Sequence, residues 1–431
     1  MDSALHRIQN CVDGRLELSH FGLTELPPLP EGIVELYCSH NQLTSLPPLP
    51  STLRSLMCDH NQLTSLPELP SSLVSLCCSN NHITSLPPLP SSIAIMICSH
   101  NRLITLPELP HSLQSLHCSY NYLTSLPELP RSLESIRCMH NQLIRLPELP
   151  PMLQMMFCDH NHLRALPELP LFLTTLFLSY NYVTSLPELP LLLSLDCVHN
   201  HLTDLPELPH SLEWLHCSYN QLTSLPALPS SCRTLSCGYN QLTTFPELPL
   251  SLNDFSCVHN RVTVLPLLPS SLGLIACCSN QLTTLPELPP LRTLMCFGNH
   301  LTSLPSLPPT MQYLDCSKNN IQFLPPLPHD LIVLYCEANP LETLPELPLS
   351  LTSITCEMPF DKSRLEIKHM FSETVQRINE EVRYGMKVLS EESKERSLYR
   401  CKTYKEEIMM KAWRPSRVEM LLEMGYDVED M

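Results

Sequence analysis

The chain has 431 residues, an apolar content of 43%, 44 prolines against 8 glycines, and a formal net charge of −17. The apolar share excludes a disordered chain, and the scarcity of glycine excludes collagen, glycine-rich linkers and a phosphate-cradling glycine loop. Up to residue 356 there are 12 Lys+Arg against 27 Asp+Glu, and beyond it 14 against 16, so the acidity belongs to the first part, which disfavours contact with nucleic-acid phosphates.

The opening residues MDSALHRIQNCVDG lack the basic and apolar stretches of a signal peptide. No apolar run reaches the ~18 residues that span a bilayer. There is no Asn-x-Ser/Thr acceptor, so the expectation is a soluble cytoplasmic chain whose 21 cysteines stay reduced. Residues 1–21 read as an N-terminal helical cap and a first atypical unit: Asp2 or Ser3 can cap a short helix bearing Leu5, Ile8 and Cys11.

From residue 22 to 356 one unit recurs. In one copy it reads Leu53-x-x-Leu56-x-Cys58-x-x-Asn61-x-Leu63-x-x-Leu66-Pro67-Glu68-Leu69-Pro70. The asparagine returns at 41, 61, 81, 101, 121, 141, 161, 181, 200, 220, 240, 260, 280, 299, 319 and 339, while Phe21 stands in its place in the first unit. A spacing of 20 residues, twice shortened to 19, is the mark of a leucine-rich-repeat solenoid.

The alternation in the first half predicts a short strand with Leu and Cys inward, and stacked copies make a parallel sheet on the concave side. The asparagine amide is placed to satisfy backbone groups where the chain leaves the strand. The two prolines of LPELP exclude a helix and predict an extended, polyproline-like convex side. After Cys356 the pattern fades. Residues 357–431 read as an α-helical C-terminal segment, a cap or interaction module, from the helical spacing of Val375, Ile378, Val382 and Met386 and of Leu398, Cys401, Tyr404 and Ile408.

Units such as LTSLPELPSSLVSLCCSNNHITSLPPLP resemble the short proline-rich repeats of bacterial effectors of the IpaH and YopM type, over residues 12 to 356. The resemblance implies action by binding host proteins. Two departures stand out, cysteine at a usually aliphatic position and a tail of about 75 residues where IpaH proteins carry a far larger ubiquitin-ligase domain. Cysteine-bearing repeats with a short tail such as AWRPSRVEMLLEMGYD are similar to leucine-rich-repeat proteins of giant DNA viruses.

Cysteine fills the third inward strand position in 15 of the 16 asparagine-bearing units, with Leu178 the exception, and that substitution favours packing over bridging or metal binding. A second column, just before the asparagine, holds His40, His60, His100, His140, His160, His199 and His259 with Tyr120, Tyr180, Tyr219 and Tyr239. Stacked rings are expected there. The swaps to tyrosine argue against a metal, and no cofactor is expected. Cys401 lacks the acidic residue two positions on that the ligase family uses, so an enzyme or ligase adaptor acting through the tail is the alternative and not the leading reading.

Outward strand positions have no packing reason to differ between units, yet they do. Ile95, Ile97, His117, Arg137, Met155, Phe157, Phe177, Asp196, Trp214 and His216 are the candidate partner-binding residues, expected to offer exposed aromatic anchors. The function expected is a non-enzymatic protein-interaction scaffold. Its partner is a protein, host proteins and basic surfaces included, rather than a nucleic acid or a membrane.

Overall fold

The computed structural model describes Arg7 and residues 14–357 and 364–368. The N-terminal helical cap, apart from Arg7, and the helices expected after residue 368 lie outside these. The chain divides into two compact units, Met1–Gln241 and Leu242–Met431.

In the first unit, three-residue strands run from β1 (Arg15–Glu17) to β12 (Thr234–Ser236), and each pairs in parallel with the next in sequence. Register follows the repeat, Leu36 beside Leu56 and Leu56 beside Leu76. A shortened unit keeps register too: Leu176 lies beside Leu195, 19 residues on. The missing residue comes out of the turn after the second proline, where Leu192 N–H bonds to Pro190 O instead of reaching back three residues as Leu173 does to Pro170 O.

Inside each turn Leu53, Leu56, Cys58 and Leu63 are fully buried, and their equivalents are buried too. The asparagine ties consecutive turns together. Asn61 Oδ1 accepts from Leu43 N–H of the preceding turn at 3.0 Å, and Nδ2 donates to Cys38 O, Cys58 O and Asp59 O at 3.0, 3.1 and 3.1 Å. One buried amide thus serves four backbone groups that the bend out of the strand would strand without partners. The residue before it takes the left-handed conformation, φ 53° at His40 and 52° at His60, which lets the chain turn. His and Asn are among the side chains that tolerate it, and Asn80 and Gly298 hold the same column.

The second unit repeats the design from β13 (Asp254–Ser256) to β17 (Val333–Tyr335) and β18 (Ser353–Glu357). β19 (Arg364–Lys368) then pairs antiparallel with β18, Ile367 beside Ile354 and Leu365 beside Cys356. This corrects the helical expectation for those five residues. Arg-Leu-Glu-Ile-Lys alternates with period two, and the connection 358–363 is too short for the crossover that a parallel strand needs. The LPELP segments form neither helix nor regular strand, and among the described residues no helix is long and apolar enough to cross a membrane.

Candidate partner-binding surface

Parallel register brings seven of the ten candidate residues into one row across the sheet: Ile97, His117, Arg137, Phe157, Phe177, Asp196 and His216. Ile95, Met155 and Trp214 occupy the companion row two residues earlier in their strands. Ile95 is exposed, and Ile97, His117, Arg137, Met155, Trp214 and His216 are half-buried.

Three residues depart from the expectation of exposed anchors. Phe157 is 0% exposed, Phe177 4% and Asp196 2%. Parallel strands set neighbouring side chains so close that large ones cover each other. Arg137 lays its guanidinium 5.1 Å above the centre of the Phe157 ring, and Phe177 meets the same ring edge-on at 5.1 Å. Asp196 Oδ1 accepts the Ser179 hydroxyl, and its Oδ2 lies 3.8 Å from His216 Nδ1. These three form a platform below the solvent-reaching residues.

Electrostatics follow from the same crowding. Burial, with the Arg137 guanidinium adding to it, lowers His117 to about 4, so its imidazole is neutral at pH 7. Burial also holds the inward thiols protonated, Cys38 pushed up to about 12 and Cys58 well above its usual value. Cys58, Cys138, Cys158 and Cys197 instead donate to carbonyls of the next strand at 3.2–3.5 Å. The outward thiol of Cys278 is itself buried, while Cys77 is half-buried.

The ring column stacks as expected. From His100 through Tyr120, His140, His160, Tyr180, His199 and Tyr219 to Tyr239, ring centres lie 4.0–4.3 Å apart. A second, looser row follows the asparagines, with Tyr182 5.8 Å from His162 and 5.7 Å from His201. Between the two rows runs an open groove of about 530 Å³ floored by Asn181, Asn200 and Asn220.

Two surfaces escaped a reading confined to the outward strand positions of one stretch. At the turn after the second proline, Ser72, Ser92, Ser112 and Ser132 each donate to two carbonyls of the preceding turn. Three successive turns give up that hydroxyl for exposed apolar side chains: Met152 is 45% exposed, Leu171 77%, Phe172 61% and Leu191 66%. The signal was the break in the Ser-Ser column. In the second unit, Ala276, Met295, Tyr313 and Val333 pack together on the outward sheet face with Leu274, Phe297 and Tyr335, and Tyr313 meets Tyr335 edge-on at 5.8 Å.

No protein-family model and no curated protein sequence matches the chain. Solved structures do. YopM from Yersinia enterocolitica is 37% identical, with a TM-score of 0.77 over 85% of this chain and 90% of that one. YopM from Yersinia pestis, a leucine-rich effector protein, is 36% identical with a TM-score of 0.61 over 77% of this chain and 91% of that one. A leucine-rich-repeat protein of Leptospira interrogans, 24% identical with a TM-score of 0.52 over 68% of this chain and 93% of that one, shares the fold.

Proposed function

The chain belongs to the leucine-rich-repeat proteins of the YopM type, and from that premise we propose that it is a protein-interaction scaffold which binds a partner protein, a host protein in the case of an effector, through the outward face of its sheet between Ile95 and His216. The mechanism is recognition without catalysis. The observation that carries it is the run of exposed Met152, Leu171, Phe172 and Leu191 on three successive turns, the first of which presents Met155 on its strand, with Trp214 on the strand of the turn that follows them. An apolar run left in water, where Ser72, Ser92, Ser112 and Ser132 each spend a hydroxyl on two hydrogen bonds, has a binding rationale and no packing one.

Trp214, Met155 and Ile95 supply aromatic and aliphatic contact beside the turn edge. Arg137 and His216 supply polar contacts that select among partners. The convex side has Glu at ten equivalent positions, including Glu148, Glu168 and Glu188 in the turns that carry the apolar edge. A partner with basic residues flanking an apolar patch complements both features, whereas phosphate-rich partners are repelled. We assign this activity to the cytoplasm, host cytoplasm included.

The test is capture of partners with the full chain, followed by affinity measurements on the captured partner. Leu171→Ser with Phe172→Ser, and Trp214→Ala, should each weaken binding about tenfold or more, as loss of an anchor costs 2 kcal/mol or more. Glu148→Ala and Glu168→Ala should change it little. Binding abolished by the glutamate changes and untouched by the apolar ones would mean the convex side is the interface.

A further inference from the structure

Two turns of the first unit carry the same sequence after the cysteine, Asp59-His60-Asn61 and Asp159-His160-Asn161, and each follows a turn with a histidine in the ring column, His40 and His140. In both places the imidazoles stack, at 4.2 and 4.1 Å. The carboxylates differ. Asp159 is buried, with its Oδ1 accepting from the backbone N–H of Ser179 at 2.9 Å. Asp59 is only half-buried, its Oδ1 accepts from the Ser39 hydroxyl at 2.5 Å, and one donor atom from each of His40, Asp59 and His60 lies within 4.8 Å of the other two.

We propose that His40, Asp59 and His60 form a binding site for a divalent transition-metal ion of the zinc class, with water completing its coordination. Two imidazole nitrogens and one carboxylate oxygen suit zinc, copper or nickel better than the hard cations, which prefer all-oxygen sets. Three protein ligands with an open position is a coordination zinc commonly takes. Both imidazoles are exposed, so they are free to fan apart and aim one lone pair each at the ion, which takes the place of the 3.3 Å contact between His60 Nε2 and the Asn80 amide.

The cysteine ladder is a weak competitor, because the thiolate is the metal ligand and burial keeps Cys38 and Cys58 protonated. The alternation of His with Tyr, which argues against a metal along the column, is missing at this end, where His20, His40 and His60 stack in succession without a tyrosine.

Zinc is titrated calorimetrically into tag-free, reduced, full-length protein, with the zinc-dependent rise in melting temperature as a second readout. One zinc per chain should bind. Asp59→Asn and His60→Asn should each weaken binding at least tenfold, as much as the loss of a supporting partner costs at other metal sites. Asparagine suits position 60 because Asn80 already holds the same left-handed conformation one turn on. Asp159→Asn and His160→Asn should leave affinity unchanged. The proposal is overturned if wild-type protein binds no stoichiometric zinc, if binding survives Asp59→Asn and His60→Asn, or if the changes at 159 and 160 weaken it equally.

Discussion

Asn161 and Asn61 make the same set of four hydrogen bonds a hundred residues apart, to the preceding turn's leucine N–H, the preceding cysteine carbonyl and two carbonyls of their own turn. Four residues before each, the chain behaves differently: Phe157 is sealed under Arg137 and Phe177, while Met57 holds the matching place as a half-buried side chain. The interior of a turn is fixed because every turn must satisfy the same backbone groups and fill the same volume. The outward face meets only its neighbours on the adjacent strands, so its composition drifts, and with it the degree of burial. Sameness marks what holds the solenoid together, and difference marks what distinguishes this chain from another built the same way.

The comparison would break most visibly at Phe157, where an outward residue is as buried as the core. Phe157→Ala should cost about 3 kcal/mol by denaturant unfolding, the low end for a buried aromatic, because the ring covers Phe177 as well as itself. A cost below about 0.5 kcal/mol would return Phe157 to the class of free surface side chains.

Asn161→Leu tests the interior side of the comparison. It removes partners from Leu143 N–H and from the carbonyls of Cys138, Cys158 and Asp159, and should cost about 1 to 3 kcal/mol. Hydrogen exchange should rise around residues 140–180 and stay unchanged in distant turns, because each repeat touches only its neighbours. Unaltered exchange in that stretch would refute the ladder role.

A smaller effect belongs to His117. Burial and Arg137 lower it to about 4, against about 6.5 in an unfolded chain, so between those values the unfolded state binds the extra proton. Its contribution is therefore complete above pH 6.5 and is lost as pH falls toward 4. His117→Gln should flatten the pH dependence of stability in that window and leave it unchanged at pH 8. An identical slope in the two proteins would mean that the imidazole titrates as if in water.

The strands, their parallel register and the asparagine ladder were legible because each rests on a period that the sequence repeats sixteen times. The stacking of His100 through Tyr239 was legible for the same reason. What escaped is non-periodic. The burial of Phe157 depends on which side chains happen to be its neighbours at 137 and 177, positions 20 residues away that acquire meaning only once register is known. The apolar edge at Met152, Leu171, Phe172 and Leu191 was written as a break in the serine column, and it is recognisable once Ser72 is seen bonding to Ser51 O and Leu53 O. The strand Arg364–Lys368 was hidden by the helical periodicity of the residues that follow it in the sequence.

Side-chain oxidation footprinting of the chain, alone and with its captured partner bound, tests the central claim most directly, because Met, Phe, Trp and Tyr report on their own exposure. Protection should fall on Met152, Met155, Phe172 and Trp214, with Leu171 and Leu191 beside them, while Phe245 and Phe323, outside the proposed surface, keep their unbound rates. Protection confined to the LPELP segments, with Met152, Phe172 and Trp214 as reactive as in the free chain, would contradict the assignment of binding to the variable face.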